Sequence, residues 1–191
     1  MDLRCFIAIE IPDTVKKEIG EAADMLRKYD ADIKWVNAQN LHITLKFLGN
    51  TPEEAVPEIS ESLLSAVSPF RPFYIKISGT GVFPSRKSPR VIWIGVENGE
   101  SLPRLAADID RSLSLLGYKK EEREFRPHLT LGRVRSRKGM VSIVNELDSL
   151  KEKEFGIFTI DRIKLMRSEL KPKGPEYTCL REAPFGEKGQ S

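Results

Sequence analysis

Apolar and polar positions alternate with a period of two from Asn40 to Leu48, where Leu41, Ile43, Leu45 and Phe47 interleave with His42, Thr44 and Lys46. This predicts a strand with its apolar side chains on one face and the histidine, threonine and lysine on the other. Residues 3–11, 33–36, 70–78 and 91–96 are β-branched or apolar runs and read as further strands, as do Pro127–Arg133, Phe155–Leu165 and Tyr177–Arg181. A helical period appears after Asp13 and Thr14, either of which can cap it, with Val15, Ile19, Ala22, Met25 and Leu26 on one side. Thr51-Pro52-Glu53-Glu54 has the form of a capping box and opens a helix through Val56, Ile59, Leu63, Leu64 and Val67. Ser101 caps a third helix carrying Leu102, Leu105, Ala106, Ile109, Leu113 and Leu116 and closed by Gly117, and a fourth is expected from Met140 to Leu150. The Gly-, Pro- and Ser-rich stretch from Gly79 to Pro89 reads as a connector between halves, and a frayed tail is expected over 183–191.

Shifting the chain by 86 residues lays one half on the other. The strand centred on Ile7 falls on Trp93, the helix at 13–29 on 99–115, His42 on His128 and Thr44 on Thr130. Element order, type and spacing agree, although few residues are identical outside the histidine strand. Such an internal repeat predicts one domain over 1–182, made of two lobes that pack about a pseudo-two-fold axis.

Composition narrows the chemistry. In 191 residues, 31 Lys and Arg face 28 Asp and Glu, for a net charge of +3, with 40% hydrophobic residues. This is the balance of a folded, water-soluble protein, expected to be monomeric. No apolar run approaches membrane-spanning length, and the N-terminus lacks the features of a signal peptide, so no membrane association and a cytoplasmic location are expected. Two cysteines, Cys5 and Cys179, make neither a disulfide framework nor a zinc cluster, and Cys5 reads as core rather than nucleophile. With only two histidines a three-histidine zinc site is excluded, and neither a phosphate-binding glycine loop nor an Asp/Glu metal cluster is evident, so no metal and no cofactor are expected.

Both histidines are followed two places later by threonine in an apolar frame, Leu41-His42-Ile43-Thr44-Leu45 and Pro127-His128-Leu129-Thr130-Leu131. Positions i and i+2 of a strand share a face, so each motif presents an imidazole beside a hydroxyl. Brought together across a pseudo-axis, two imidazoles can act as acid and base while two hydroxyls hold an anion. That set suits in-line displacement at phosphorus. Lys46 and Arg126 have the parity of their histidines and could steer an anion. Strict alternation puts Arg133 on the opposite face, unless the strand bulges near Gly132. Phe6 is the best first-strand candidate for stacking on a base, but core packing is the role favoured for it.

These motifs, with the opening Arg4-Cys5-Phe6-Ile7-Ala8-Ile9, the Thr44-Leu45-Lys46-Phe47-Leu48-Gly49 run, Arg126–Arg133, Ser168-Glu169-Leu170 and Gly174-Pro175-x-Tyr177, resemble the two-histidine (2H) phosphoesterases. Within them the chain is most similar to the RNA 2′,3′-cyclic phosphodiesterases, also called 2′-5′ RNA ligases. The resemblance implies a bilobal α+β fold, two antiparallel sheets backed by helices around a central cleft. It implies hydrolysis of a terminal 2′,3′-cyclic phosphate on RNA to a 2′-phosphate, with reversible 2′-5′ joining of tRNA halves in some members. It also implies His42 as proton donor to the leaving 3′-oxygen, His128 as proton acceptor from water, and Thr44 and Thr130, with Arg133, around the phosphate. The two motifs are nearly symmetric, so the residues alone leave acid and base open.

Arg86, Lys87, Arg90, Arg133, Arg135, Arg137 and Lys138 are expected at the cleft rim, where they could contact RNA phosphates. Two other readings stand beside this one: a phosphodiesterase for small cyclic nucleotides or 2′-5′ oligonucleotides, and an RNA-binding module whose catalysis is dispensable.

Overall fold

The computed structural model describes residues 1–97, 100–172 and 174–186. Among them run nine strands and four helices: β1 (Asp2–Glu10), α1 (Asp13–Arg27), β2 (Ile33–Trp35), β3 (His42–Pro52), α2 (Val56–Val67), β4 (Phe73–Ser85), β5 (Ser88–Glu97), α3 (Ser101–Ser114), β6 (His128–Val134), α4 (Met140–Ser149), β7 (Glu154–Ile160), β8 (Arg162–Lys171) and β9 (Gly174–Pro184). They form two antiparallel sheets, one in the order β3-β1-β8-β9 and the other in the order β2-β6-β5-β4-β7. The fold is therefore α+β and bilobal, as expected.

Each helix buries most of the stripe that its sequence period presents, although Met25 of α1 and Leu64 of α2, expected within it, are exposed at the stripe's edge. On α1 the buried part is Val15, Ile19, Ala22, Ala23 and Leu26, and on α3 it is Leu102, Leu105, Ala106, Ile109 and Leu113. α2 and α3 pack on each other and back the four-stranded sheet through β9 and β3, whereas α1 and α4 back the five-stranded sheet through β7 and β4. Both sheets thus keep one face for the core and one for the groove between them.

The lobes are not the two halves of the sequence. The four-stranded sheet takes β8 and β9 from the second half, and the five-stranded sheet takes β2 and β4 from the first, so each half lends two strands to the other's sheet. The helices cross as well, since α1 follows β1 but packs against β7. Strands β3-β1-β8-β9 correspond in order to β6-β5-β4-β7. Ala8 pairs with Thr44 where Trp93 pairs with Thr130, which sets the first-strand offset at 85, one short of the 86 between the histidines.

Several expected elements shift. The stretch Gly79–Pro89 is a hairpin rather than a connector: β4 runs to Ser85 and β5 starts at Ser88. Its Gly79, at φ 71°, makes a bulge inside the ladder instead of ending it. The strand expected over Phe155–Leu165 is two strands in different sheets, switching at Asp161, because a sheet change leaves the apolar pattern unbroken. Thr51 caps nothing; it is buried within β3, and α2 begins at Val56 after a 3₁₀ turn over Glu53–Ala55. Neither α1 nor α3 has a side-chain N-cap. The expected tail starts too early, since Ala183 and Phe185 are buried and Phe185 stacks on Phe73 at 5.7 Å. Residues 187–191 of that tail lie outside the described residues.

Candidate active site

β3 is an edge strand of one sheet, β6 lies second in the other, and the two touch across the groove. The link from β2 to β3 keeps them together. β2 pairs with β6, Val36 N–H donates to the Leu131 carbonyl at 2.9 Å, and six residues later the chain reaches His42. His42 and Thr44 alternate with buried Ile43 and Leu45, and His128 and Thr130 with buried Leu129 and Leu131. Both His-x-Thr faces are therefore turned away from the two hydrophobic layers.

The imidazoles are held in the same way. His42 Nδ1 lies 2.8 Å from the carbonyl of Asn40, and His128 Nδ1 lies 2.7 Å from the carbonyl of Arg126, each two residues upstream. A carbonyl can only accept, so Nδ1 carries the hydrogen in both rings and Nε2 is left for a substrate. Asn40 is itself fixed by its side-chain amide, which donates to the Pro175 carbonyl at 2.8 Å. Neither Thr44 nor Thr130 has a hydroxyl partner among the described residues, which leaves both free to donate to an anion.

Aromatic rings separate the two histidines in character. Phe6 and Tyr177 enclose His42, with ring centroids at 4.8 and 5.1 Å, whereas Phe83 meets His128 edge-on at 5.2 Å. Burial pushes the His42 imidazole below its usual value, and the Asn40 carbonyl offsets only part of this. Burial also raises the Tyr177 phenol, while the charges of Arg133 and Arg4 pull it down. Arg133, from β6, is thus near Tyr177, from β9 of the other sheet.

A bulge explains that placement. In both histidine strands the ladder skips one residue directly after the threonine, Leu45 in β3 and Leu131 in β6. The face inverts there. Arg133 consequently turns outward to the groove, as does Phe47, which is 68% exposed. Lys46 turns inward and is only 6% exposed, so the parity argument for it as an anion guide fails. Its ammonium donates to Asp110 at 2.5 Å and to the Lys119 carbonyl at 2.7 Å.

Two more expected contacts change. Phe6 is 3% exposed and backs the His42 ring, so the core-packing reading holds and it offers no face to a base. The Arg126 side chain is exposed and donates to Glu124, and its backbone carbonyl is what serves the site. Of the expected basic rim, Arg86 is paired with Asp148 and Lys138 with Asp30. Among the described residues Lys87, Arg90, Arg133, Arg135 and Arg137 have no carboxylate partner. The reading of the residues assigned no role to Tyr177 or Phe83. They come from β9 and β4, far from either motif in sequence; spacing carries no signal for Phe83, and Tyr177 is marked only by the Gly174-Pro175-x-Tyr177 stretch of the family resemblance. Among the described residues no cluster of three or more His, Cys, Asp or Glu could hold a metal ion, and no helix is long and apolar enough to cross a membrane.

The model of a family described as LigT like phosphoesterase matches the chain twice, over residues 9–93 and 94–177. An RNA 2′,3′-cyclic phosphodiesterase of Methanocaldococcus jannaschii is 41% identical over 180 residues, 94% of this chain and 99% of that protein. One of Thermotoga maritima is 36% identical over 184 residues, 96% of each. Among solved structures, TT0787 of Thermus thermophilus superimposes with a TM-score of 0.78 at 31% identity, covering 97% of this chain and all of that one. LigT of E. coli in complex with 3′-AMP shares the fold, with a TM-score of 0.74 at 22% identity over 98% of this chain and all of that one.

Proposed function

The chain belongs to the LigT-like phosphoesterases of the two-histidine superfamily, and from that premise we propose that it opens the 2′,3′-cyclic phosphate at the end of an RNA to leave a 2′-phosphate. The observation that carries this reading is the matched pair of imidazoles, each fixed through Nδ1 to a carbonyl two residues upstream and each beside a threonine hydroxyl without a partner among the described residues. Relatives that match nearly the whole chain carry the name RNA 2′,3′-cyclic phosphodiesterase, which supports the substrate class.

In the proposed step His128 Nε2 takes a proton from water as the water oxygen bonds to phosphorus. The bond from phosphorus to O3′ breaks in line, and His42 Nε2 gives O3′ its proton. Thr44 and Thr130 donate to the non-bridging oxygens, and the Arg133 guanidinium faces the same charge. His42 takes the acid role that the family resemblance implies; burial makes its imidazolium the readier donor once it holds the proton and also favours the neutral ring it becomes. Water and two imidazoles suffice for this step, so the reaction is proposed to need neither metal nor cofactor. With the 5′-hydroxyl of a second RNA, such as a tRNA half, in place of water, the same pair forms a 2′-5′ linkage. One chain supplies the whole site, which supports a monomer. The exposed Cys179 thiol and buried Cys5 thiol fit a reducing, cytoplasmic setting.

The test is product analysis on an oligonucleotide ending in a 2′,3′-cyclic phosphate, with EDTA present and with or without a 5′-hydroxyl RNA. A 2′-phosphate end formed in EDTA is expected. A 3′-phosphate product, or loss of turnover in EDTA, would sink the mechanism.

A further inference from the structure

Each histidine is preceded by a segment whose last carbonyls set its ring, and each segment is tied to the strand of the other histidine. The segment before His42 is β2 and the turn ending at Asn40. It is tied to β6 at Gly132, the residue four places after His128, which pairs with Trp35. A Cβ at Gly132 would stand 2.7 Å from Ile33 Cγ2 and 3.2 Å from Trp35 Cε3, so only glycine lets β2 lie so close.

The segment before His128 is the loop over 118–127, which has no ladder of its own. It is tied to β3 at Lys46, the residue four places after His42. The buried Lys46 ammonium donates to the carbonyl of Lys119 in that loop and to Asp110 of α3, and the same Asp110 oxygen accepts the Glu121 N–H at 3.1 Å. Both anchors sit one residue beyond the bulges at Leu45 and Leu131. The repeat thus uses equivalent positions for one purpose with different chemistry, backbone pairing at Gly132 and a buried ion pair at Lys46.

We infer that Lys46, with Asp110, is a positioning residue for His128: it fixes the 118–127 loop and hence the Arg126 carbonyl that orients the imidazole. The inference rests on the reaction proposed above only for its kinetic consequence. The structural consequence can be read on the resting protein, because the two histidines give two sets of imidazole resonances, assigned with His42→Gln. Lys46→Met is compared with Asp110→Asn, which keeps an acceptor but removes the charge, and with Lys46→Met/Asp110→Leu, which replaces the buried pair by apolar contact.

In these variants the His128 ring nitrogens are expected to lose their single Nδ1–H tautomer signature in ¹⁵N spectra, while those of His42 stay as in the wild type. Turnover of a 2′,3′-cyclic-phosphate oligonucleotide is expected to fall, by up to about a hundredfold, with KM little changed. The double variant is expected to recover thermal stability without recovering turnover. An unchanged His128 signature in any folded variant overturns the inference, as does equal disturbance of both rings. Recovery of turnover together with stability in the double variant, or failure of every variant to fold, assigns the pair to stability alone and overturns it too. If the wild type leaves the cyclic phosphate intact, the proposed reaction fails while the spectra still decide the positioning role.

Discussion

His42 and Tyr177 meet edge to face, with ring centroids 5.1 Å apart and planes at 90°, and Phe6 closes the other side of the imidazole at 4.8 Å. His128, in the equivalent place, has Phe83 at 5.2 Å and planes at 84°. One pseudo-symmetric pair is therefore given two different enclosures, and acid and base are to be told apart by those enclosures.

Removing the lid should move the titration. Burial lowers the His42 value, and Tyr177 forms one side of the enclosure, so Tyr177→Ala should raise the His42 midpoint toward about 6.5, the value of a free imidazole. An NMR titration of His42 in wild type and variant checks this: its midpoint should shift upward. A His42 midpoint that ignores the loss of Tyr177 would show that the ring is screened by something else.

The same burial couples His42 to stability. In the unfolded chain the imidazole takes its proton near pH 6.5, whereas in the folded protein it resists until lower pH. Between those two values the unfolded state binds more protons, so this group makes stability fall as pH falls below about 6.5, and its contribution is fully present above that value. Urea unfolding of wild type and His42→Gln across pH 5 to 8 isolates the effect, because other groups cancel in the difference. The wild type should lose stability relative to the variant on acidification, and an opposite slope would contradict the assignment.

Much of this arrangement is legible in the sequence. The stripes on α1 and α3 match their buried faces except at Met25, which turns to solvent, and the His-x-Thr frames mark both groove-facing strands because alternation there is strict over the residues that matter. Legibility ends at Leu45 and Leu131, where a single skipped residue turns Lys46 into the core and Arg133 out of it. A bulge is set by the partner strand and by twist, neither of which is written in the local pattern. The exchange of β2 and β4 against β8 and β9 between sheets is equally silent, since a strand carries the same alternation in either sheet. Tyr177 and Phe83 reach the histidines only through that exchange, which is why spacing alone passes them over.

Direct loss of the proposed acid or base should be severe and separable from folding. His42→Ala and His128→Ala should each lower turnover of a cyclic-phosphate oligonucleotide by about 10²–10⁴-fold. Thr44→Val and Thr130→Val, which keep shape and remove a donor, should cost about 10²-fold or more in kcat. Circular dichroism should stay near wild type in all four. Turnover within a fewfold of wild type in either histidine variant would remove that residue from the mechanism.

Glycine substitutions offer a control pair. A Cβ at Gly81 would lie 2.3 Å from Trp93 Cζ2, and Trp93 packs on Phe83, the ring beside His128. Gly81→Ala should therefore destabilise by about 1–3 kcal/mol, as overpacked cores do, and lower turnover as the Phe83 ring is pushed. Gly20, within α1, has open space where its Cβ would go, so Gly20→Ala should stabilise by about 0.5–1 kcal/mol with activity unchanged. Urea unfolding with Trp fluorescence reads both, and equal effects would undo the packing argument.

The unpaired cations beyond β6 make the final prediction. Arg133 ends the groove-facing row of β6, and Arg135 and Arg137 follow it, exposed and without carboxylate partners among the described residues. Arg86 and Lys138, by contrast, are already paired with Asp148 and Asp30. If RNA leaves the groove along this path, its phosphates displace counterions from the unpaired arginines, and affinity falls as salt rises with a slope of about 0.7 per single-strand contact. Arg135→Gln and Arg137→Gln should each weaken binding of a long cyclic-phosphate RNA and flatten its salt dependence by roughly that amount. Arg86→Gln and Lys138→Gln should change it far less, since their charges are spent within the protein. A dinucleotide cyclic phosphate, too short to reach Arg137, should ignore the Arg137 substitution. Equal slopes for all four variants on long RNA would show that the chain binds its substrate through the groove alone.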